Sequence, residues 1–188
     1  MASHFLAPLL GRYVAECPRV QLRLVSGVTP AIANLVERGA CELGFVLLPL
    51  RNSRLELRPV FQYRHVAVFP PRGTPKGVQE ASVQDLCERP LVLLTKETAT
   101  RKAFDEMVNA KGFQPRQVLE VGSIAVQKAM VRAGLGAGIL PDYTLDKRDG
   151  LPSLPIQGAR THTLALCRLK TKVLSLPGMH LMKLIGSI

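Results

Sequence analysis

The stretch "SIAVQKAMVRAGLGAGILPDY", residues 123–143, places three glycines directly after a helical pattern and directly before an apolar run. A nucleotide-binding loop has the opposite order, because a phosphate group binds free amides where glycines lead into a helix. We therefore expect Gly134 to end a helix in the left-handed conformation that glycine adopts most easily. Gly136 and Gly138 are expected to allow close backbone approach where the next strand enters a sheet. The stretch predicts a helix followed by a buried strand, as in an α/β fold.

The helix in this stretch is predicted to begin at Ser123, which is a good N-cap residue. Lys128 and Arg132 are expected on its solvent side. Helical spacing predicts an inward face of Val126, Met130 and Ala133.

Strands and helices alternate through the rest of the chain. "PLVLLT" (90–95) is predicted as a buried strand, "TATRKAFDEMVNAKG" (98–112) as a helix and "RQVLEVG" (116–122) as another strand. In the N-terminal part, a helix from about Ser3 precedes an alternating strand in "RVQLRLVSG" (19–27). Thr29 is expected to cap the next helix, which leads into the strand "LGFVLL" (43–48). Strand, helix, strand units of this kind indicate a parallel sheet with right-handed crossovers.

Two stretches rich in proline and glycine interrupt the alternation. "LELRPVFQYRHVAVFPPRGTPKG" (55–77) predicts two extended segments separated by Pro59, followed by a break near residue 70. A second break is predicted near residue 150, before the strand "THTLALCRL" (161–169) and a terminal amphipathic segment. The two breaks divide the chain, and at this length either one domain or two small lobes is consistent with them.

The net charge of +11, from 25 Lys and Arg against 14 Asp and Glu, raises the possibility of an anionic partner. The basic residues are spread out, with modest clusters in "RNSRLELR" (51–58) and "CRLKTK" (167–172), and the chain has no Trp to stack on bases. This distribution favours a solvated basic surface that attracts small anions. A weak nucleic-acid contact is the alternative.

Several classes of protein are not expected. Four cysteines tens of residues apart, without a C-x-x-C pair, predict buried reduced thiols; redox sensing through Cys87 is the alternative. Four histidines without a motif and the absence of G-x-S-x-G predict no enzyme, no catalytic residue, no metal ligand and no cofactor. No apolar stretch reaches the length of a membrane span, and the N-terminus lacks a secretory pattern, so a cytoplasmic protein without membrane contact is expected.

Three predicted helices begin within a few residues after a strand: at "SGVTP" (26–30), "TKETAT" (95–100) and "VGSI" (121–124). In an open α/β sheet, ligands bind beyond the carboxyl ends of the strands, where helix N-termini present unpaired amides. Each start contains Ser or Thr. These residues either cap their helices only or also line one shared binding cleft.

Two longer stretches, "CPRVQLRLVSGVTPAIANLVERGACELGF" (17–45) and residues 98–143 with their "VRAGLGAGILP" string, resemble the effector-binding domain of LysR-type transcriptional regulators. The resemblance covers nearly all of the chain. It implies two Rossmann-like lobes with a hinge, like the type 2 periplasmic binding proteins. Lobe I would be residues 1–70 plus 150–188, and lobe II residues 71–149.

The resemblance also implies a function and partners. A small effector, expected to be an organic acid or other anion, would bind between the lobes and control transcription through rearrangement of a homodimer or tetramer. DNA would be bound only by an N-terminal winged helix-turn-helix domain, which is expected to be absent from these 188 residues. The family's usual first strand is also missing, so the sequence is expected to be an incomplete chain. An exported solute-binding protein of the same fold is the alternative.

Effector-binding residues are carried over by position, although "FPPRGTP" (69–75) departs from the histidine-proline pair common in the family. The expected set is Ser3, His4, Val28, Thr29, Thr95, Thr98, Thr100, Arg101, Ser123 and Ile124.

Overall fold

The computed structural model describes residues 5–186, which divide into two units. The first unit consists of residues up to Tyr63 and from His162 onward, and the second is Arg64–Thr161. The elements in chain order are α1 (Ala7–Glu16), α2 (Thr29–Glu37), β1 (Gly44–Leu48), β2 (Leu55–Val68), α3 (Val83–Cys87), β3 (Pro90–Leu94), α4 (Ala99–Ala110), β4 (Gln117–Val121), α5 (Ile124–Arg132), β5 (Ala137–Pro141), β6 (Ser153–Pro155), β7 (Thr161–Leu169) and α6 (Leu176–Ile185). The predicted α/β class is confirmed.

Both unit boundaries fall inside strands, β2 and β7. The proline- and glycine-rich segments near residues 70 and 150 lie within the second unit. The division at about 70 and 150 and the missing N-terminal domain therefore stay predictions.

The first unit is built on an antiparallel pair, β1 and β7, in register from Gly44 opposite Cys167 to Leu48 opposite Thr163. Helix α2 packs so closely on β1 that a Cβ at Gly44 would lie 2.8 Å from Ile32. Helix α1 meets α6, and the Tyr13 hydroxyl donates to the Pro177 carbonyl at 2.9 Å. These contacts enclose two apolar clusters.

The strand predicted in "RVQLRLVSG" (19–27) is wrong, because residues 20–28 have no regular structure. Leu22 and Leu24 are 42% and 58% exposed. Alternating residues form a strand only where a neighbouring strand supplies hydrogen bonds. Within residues 5–186, no strand pairs with this segment.

The second unit is a sheet in the order β2, β5, β3, β4, with β6 paired to β2. Strand β3 is parallel to both β4 and β5. Leu91 and Leu93 of β3 pack in the cluster that contains Phe104 of α4, whereas Val92 packs in the cluster that contains Val131 of α5. The period-two alternation of a strand therefore places α4 and α5 on opposite faces of this sheet.

The glycines after α5 have the predicted roles. Gly134 has φ +87°, and the bonds from Gly134 N to Val131 O and from Leu135 N to Met130 O form a Schellman motif. A Cβ at Gly136 would lie 2.4 Å from the Pro90 carbonyl oxygen. The strand β5 can therefore approach β3 only because this residue has no side chain.

Two further predictions are corrected. Strand β2 runs unbroken through Pro59, because proline is tolerated where its missing N–H is not needed for pairing. The inward face of α5 holds Gln127, Lys128 and Val131, while Val126 is 42% exposed. Gln127 Nε2 and Lys128 Nζ both donate hydrogen bonds in these inward positions, as described below, whereas the buried Gln127 Oε1 has no hydrogen-bond partner among the described residues.

Candidate functional site

The carboxyl ends of β3 and β4 lie side by side in the second unit and lead directly into two helices. Leu94, the last residue of β3, is in register with Val121, the last residue of β4. Helix α4 begins with Thr98 as its N-cap, and α5 begins with Ser123 as its N-cap. Two helix N-termini are thus presented from neighbouring parallel strands, which is where ligands bind in open α/β sheets.

Both capping hydroxyls are engaged with their own helices. Thr98 Oγ1 accepts from Arg101 N at 3.3 Å, and Ser123 Oγ accepts from Val126 N at 3.3 Å. A side-chain cap satisfies one terminal donor and leaves the first two helical amides without a partner in the helix. These are the amides of residues 99 and 100 in α4 and residues 124 and 125 in α5.

The two hydroxyls differ in what they can still donate. Thr98 Oγ1 donates its proton to the Thr95 carbonyl at 2.8 Å. Ser123 Oγ accepts its bond from a backbone N–H, so its own proton can point to another acceptor. Of the two capping hydroxyls, Ser123 is therefore the better donor to a bound anion.

Arg101 lies at the junction of the two strand ends with its side chain only 9% exposed. Its Nη1 donates to the Leu94 carbonyl at 3.1 Å and to Glu120 Oε2 at 3.2 Å, and its Nε donates to Asp105 Oδ1 at 2.8 Å. The guanidinium therefore connects the end of β3 to β4 and to α4. Two carboxylates offset its charge.

The other expected residues of the second unit lie in the same region. Thr95 is half-buried and follows β3 directly, and Thr100 is buried in the first turn of α4. Ile124 is half-buried against the apolar cluster on the α5 face of the sheet. The structure therefore gathers Thr95, Thr98, Thr100, Arg101, Ser123 and Ile124 around the ends of β3 and β4.

The remaining expected residues lie elsewhere in the chain. Val28 and Thr29 belong to the first unit, at the start of α2. Thr29 is not the N-cap as predicted; Val28 has that position and supplies no side-chain bond. The Thr29 hydroxyl instead accepts from Leu47 N of β1 at 3.0 Å, which ties α2 to the sheet. Ser3 and His4 lie outside the described residues.

Gln127 is a fully buried polar residue that the sequence pattern did not single out. Its Nε2 donates to the Val92 carbonyl at 2.7 Å and to the Ile139 carbonyl at 3.2 Å. The amide thus joins β3 and β5 from the α5 side. The sequence signal that could have indicated it is a glutamine at a position where the helical spacing of α5 calls for an apolar residue.

Lys128 and Asp149 form a second polar contact beneath α5. Lys128 Nζ donates to Asp149 Oδ2 at 2.6 Å and also to the Thr144 carbonyl. Burial by itself would raise the pKa of Asp149, but the bonds from Lys128 and from Asp146 N lower it below its usual value. This contact holds the loop of residues 144–149 against α5.

The cysteines and histidines have packing and surface positions. Cys87 and Cys167 are buried free thiols, and burial raises the pKa of Cys167 to about 11. Cys17 and Cys41 are only half-buried, so the prediction of four buried thiols is wrong for these two. His162 stacks on Tyr63 with ring centroids 5.2 Å apart, and His180 lies 2.8 Å from a Glu16 carboxylate oxygen.

Between residues 5 and 186, three or more His, Cys, Asp or Glu side chains never gather where they could hold a metal ion. Over the same range, no helix is both long enough and apolar enough to cross a bilayer.

Comparison with known proteins gives a consistent result. Residues 1–185 match the family described as the LysR substrate binding domain. A curated relative, the uncharacterized HTH-type transcriptional regulator YcgK of Bacillus subtilis, is 25% identical over an alignment 200 residues long, which covers 96% of this chain and 62% of that protein. The chain spans about half the length of the curated relatives it matches.

Solved structures share the fold. The regulatory domain of Synechocystis PCC6803 CcmR in complex with 2-PG aligns with a TM-score of 0.81 at 21% identity, covering 99% of this chain and 92% of that one. The effector-binding domain of BenM with its effector benzoate aligns with a TM-score of 0.75 at 16% identity, covering 99% and 86%.

Proposed function

Because the chain belongs to the LysR substrate-binding domain family, we propose that it is the ligand-sensing part of a LysR-type transcriptional regulator. In this proposal the chain binds a small anionic effector, and the effector changes how the complete regulator acts on DNA. The observation that carries the proposal is the adjacent placement of the α4 and α5 N-termini beyond the ends of parallel strands β3 and β4. Regulation takes place in the cytoplasm, where the DNA lies.

An organic acid is the ligand class that fits this arrangement best. Helix N-termini carry partial positive charge, and the unpaired amides of residues 99, 100, 124 and 125 are donors without acceptors. Benzoate, the effector of the structurally similar BenM, is a carboxylate. The net charge of +11 favours the approach of an anion.

The binding energy can come from several modest contributions. A helix N-terminus contributes about 0.3 to 1 kcal/mol toward an anion, and a hydrogen bond to a charged group about 1.5 to 3 kcal/mol. Micromolar affinity requires about 8 kcal/mol. Three or four donors together with some apolar contact reach that value, so no single residue has to dominate.

Within the proposed site, the residues have different roles. In this proposal the hydroxyls of Ser123 and Thr29 can donate to the effector, since each oxygen accepts a bond from a backbone N–H group and keeps its own proton. Ile124 and Val28 supply apolar contact. Arg101 acts through its bonds to Leu94 and Glu120, which fix the strand ends. Ser3, His4, Thr95, Thr98 and Thr100 complete the proposed lining.

The transcriptional role rests on differential binding. An effector shifts an equilibrium between two arrangements only as far as it binds one of them better, and a tenfold preference corresponds to about 1.4 kcal/mol. We propose that this shift acts through a dimer or tetramer and through a helix-turn-helix domain elsewhere in the complete protein. An exported solute-binding protein of the same fold is less well supported, because the curated relatives are named HTH-type transcriptional regulators. The upstream coding sequence decides between the two.

Calorimetry with a panel of small carboxylic acids, beginning with benzoate, tests the ligand proposal. Ser123→Ala is expected to weaken binding about tenfold or more, because a donor to a charged group is lost. Ser82→Ala is the matched control, since Ser82 caps α3 through Asp85 N in the same unit. Both substitutions are expected to cost about 1 kcal/mol of stability. Equal effects on binding, or no binding of any acid by the folded chain, would refute the proposal.

A further inference from the structure

The two basic clusters of the sequence, in residues 51–58 and 167–172, come together at one end of the first unit. Lys170 N donates to the Arg54 carbonyl at 3.0 Å, and Lys170 Nζ donates to the Ser53 carbonyl at 2.9 Å. Lys172 Nζ lies 3.5 Å from the Gly39 carbonyl, directly after α2. These bonds place the loop before β2, the turn after β7 and the end of α2 beside one another.

The exposed cations of this end form one surface, here called the basic patch. It consists of Arg38, Arg51, Arg54, Lys170 and Lys172, all of which are exposed. The first unit as a whole holds 11 of the 25 Lys and Arg residues but only four of the 14 Asp and Glu residues. The surplus of positive charge is therefore concentrated in this unit.

Most of the charge on the basic patch is not neutralised. Lys170 and Lys172 bond to backbone carbonyls, which accept hydrogen bonds but bring no net charge. Arg54 pairs with Glu37 at 3.0 Å, but the Arg54 side chain is 65% exposed, so solvent screens this pair strongly. Glu37 also accepts from Asn52 at 3.3 Å.

The backbone bonds also fix the spacing of the cations. Lys170 is held to the residues before β2 by both its main chain and its side chain. A set of exposed Lys and Arg side chains is suited to a repeating polyanion, because each bound cation releases condensed counterions from the phosphate backbone. Such contacts position a nucleic acid without reading its sequence.

We propose that the basic patch binds the phosphate backbone of duplex DNA. The choice of DNA rests on the proposed regulatory function, in which the complete protein works on DNA. The patch would then add a contact, independent of base sequence, to whatever binding the rest of the regulator provides. It lies in the first unit, whereas the cap-lined ends of β3 and β4 lie in the second.

Fluorescence anisotropy of a labelled short duplex of arbitrary sequence tests the proposal on the 188-residue chain. With four cations in contact, the logarithm of the association constant should fall with the logarithm of salt concentration with a slope of about −3 to −4. Binding should thus weaken roughly a hundredfold between about 50 and 200 mM salt. The variant K170Q/K172Q is expected to reduce the steepness of this slope by about 2.

Charge reversal with a matched control separates the basic patch from overall charge. K170E/K172E is expected to weaken DNA binding about tenfold or more. K102E/K111E, which changes the net charge equally at an exposed position of α4 and at its exposed C-cap, should stay within about twofold. If K170E/K172E fails to fold, R38E/R51E removes two other exposed cations of the patch and serves the same comparison. The proposal would be overturned if K170E/K172E and K102E/K111E weakened DNA binding equally, or if the original chain did not bind the duplex at low salt.

Two measurements distinguish this proposal from the effector-binding proposal and from binding to a lipid surface. Binding of K170E/K172E to an organic acid in the calorimeter should equal that of the original chain, so failure of one proposal does not imply failure of the other. Sedimentation with vesicles that contain phosphatidylserine tests an anionic lipid surface. Binding to vesicles without binding to DNA would overturn the assignment to DNA.

Discussion

Lys128 of α5 donates to Asp149 over 2.6 Å, and the two side chains are only 10% and 17% exposed. The Asp149 carboxylate also accepts from Asp146 N at 2.8 Å, and its carbonyl accepts from Arg132. The last residue of the short 3-10 helix Lys147–Asp149 is therefore attached to α5 through both its side chain and its main chain.

Replacement of this carboxylate is expected to destabilise the protein. Asp149→Ala leaves the nearly buried Lys128 ammonium without this hydrogen-bond partner, which should lower the free energy of unfolding by about 1 to 3 kcal/mol. Arg12→Ala is the control, because it breaks an ion pair with Glu16 in which the Arg12 side chain is 67% exposed. Urea denaturation checks the comparison, and equal unfolding free energies for the two variants would contradict it.

The Lys128–Asp149 pair also predicts that the stability of the protein depends on pH. The pKa of Asp149 is lowered in the folded protein, because the bonds from Lys128 and Asp146 N outweigh the effect of burial. Its stabilisation is therefore present above the unfolded carboxyl pKa of about 3.9 and is lost as the pH falls through the lower folded pKa. The stability difference between the original chain and Asp149→Ala should shrink below about pH 4. Denaturation curves that keep a constant difference down to acid pH would contradict this.

A side chain at Gly136 is expected to disrupt the second unit. A Cβ there would lie 2.4 Å from the Pro90 carbonyl oxygen and 2.7 Å from its carbon, so backbone atoms must move. Gly136→Ala should cost more than about 2 kcal/mol of stability. Gly11→Ala, in α1 where a Cβ meets nothing within 4 Å, should instead stabilise by about 0.5 to 1 kcal/mol. A similar effect of both substitutions in urea denaturation would rule out this close approach.

The buried thiols are expected to be unreactive. Burial raises the pKa of Cys167 to about 11, so about 0.1% of it is thiolate at pH 8. Burial also raises the pKa of Cys87, which argues against redox sensing there. Iodoacetamide at pH 8 should modify the half-buried Cys17 and Cys41 faster than Cys87 and Cys167, with all four modified in urea. Mass spectrometry reads the sites, and rapid alkylation of folded Cys87 would show that this thiol is accessible.

Local signals predicted much of the fold. The glycine that ends α5 and the serine that begins it have residue-specific backbone roles, so the sequence alone indicates both. The alternation of strands and helices in the second unit was also predictable, because it depends on the spacing of apolar residues over short distances. The caps at Thr98 and Ser123 followed from the same rules.

Features that depend on distant partners could not be read in this way. Val126 was expected inward on α5, but Gln127 and Lys128 lie there and donate to Val92, Ile139 and Asp149. The segment 20–28 has the pattern of a strand, yet pairing requires a neighbour that the pattern does not specify. Thr29 is a residue type that often caps helices, but its hydroxyl accepts from Leu47 N, in a strand 18 residues further along the chain. In the candidate site, the residue types were predictable, while the bonds that occupy Thr98 and Arg101 were not.

The passage of the chain through β2 and β7 determines the order in which the protein can assemble on the ribosome. The second unit is one contiguous piece, so it can complete its sheet as soon as residue 161 has emerged. The first unit is discontinuous, because β1 finds its partner β7 only after the whole second unit has been synthesised. During translation the part of the first unit before Arg64 therefore waits with an unfinished sheet, and a nascent chain released before β7 leaves β1 without the strand on which this unit is built.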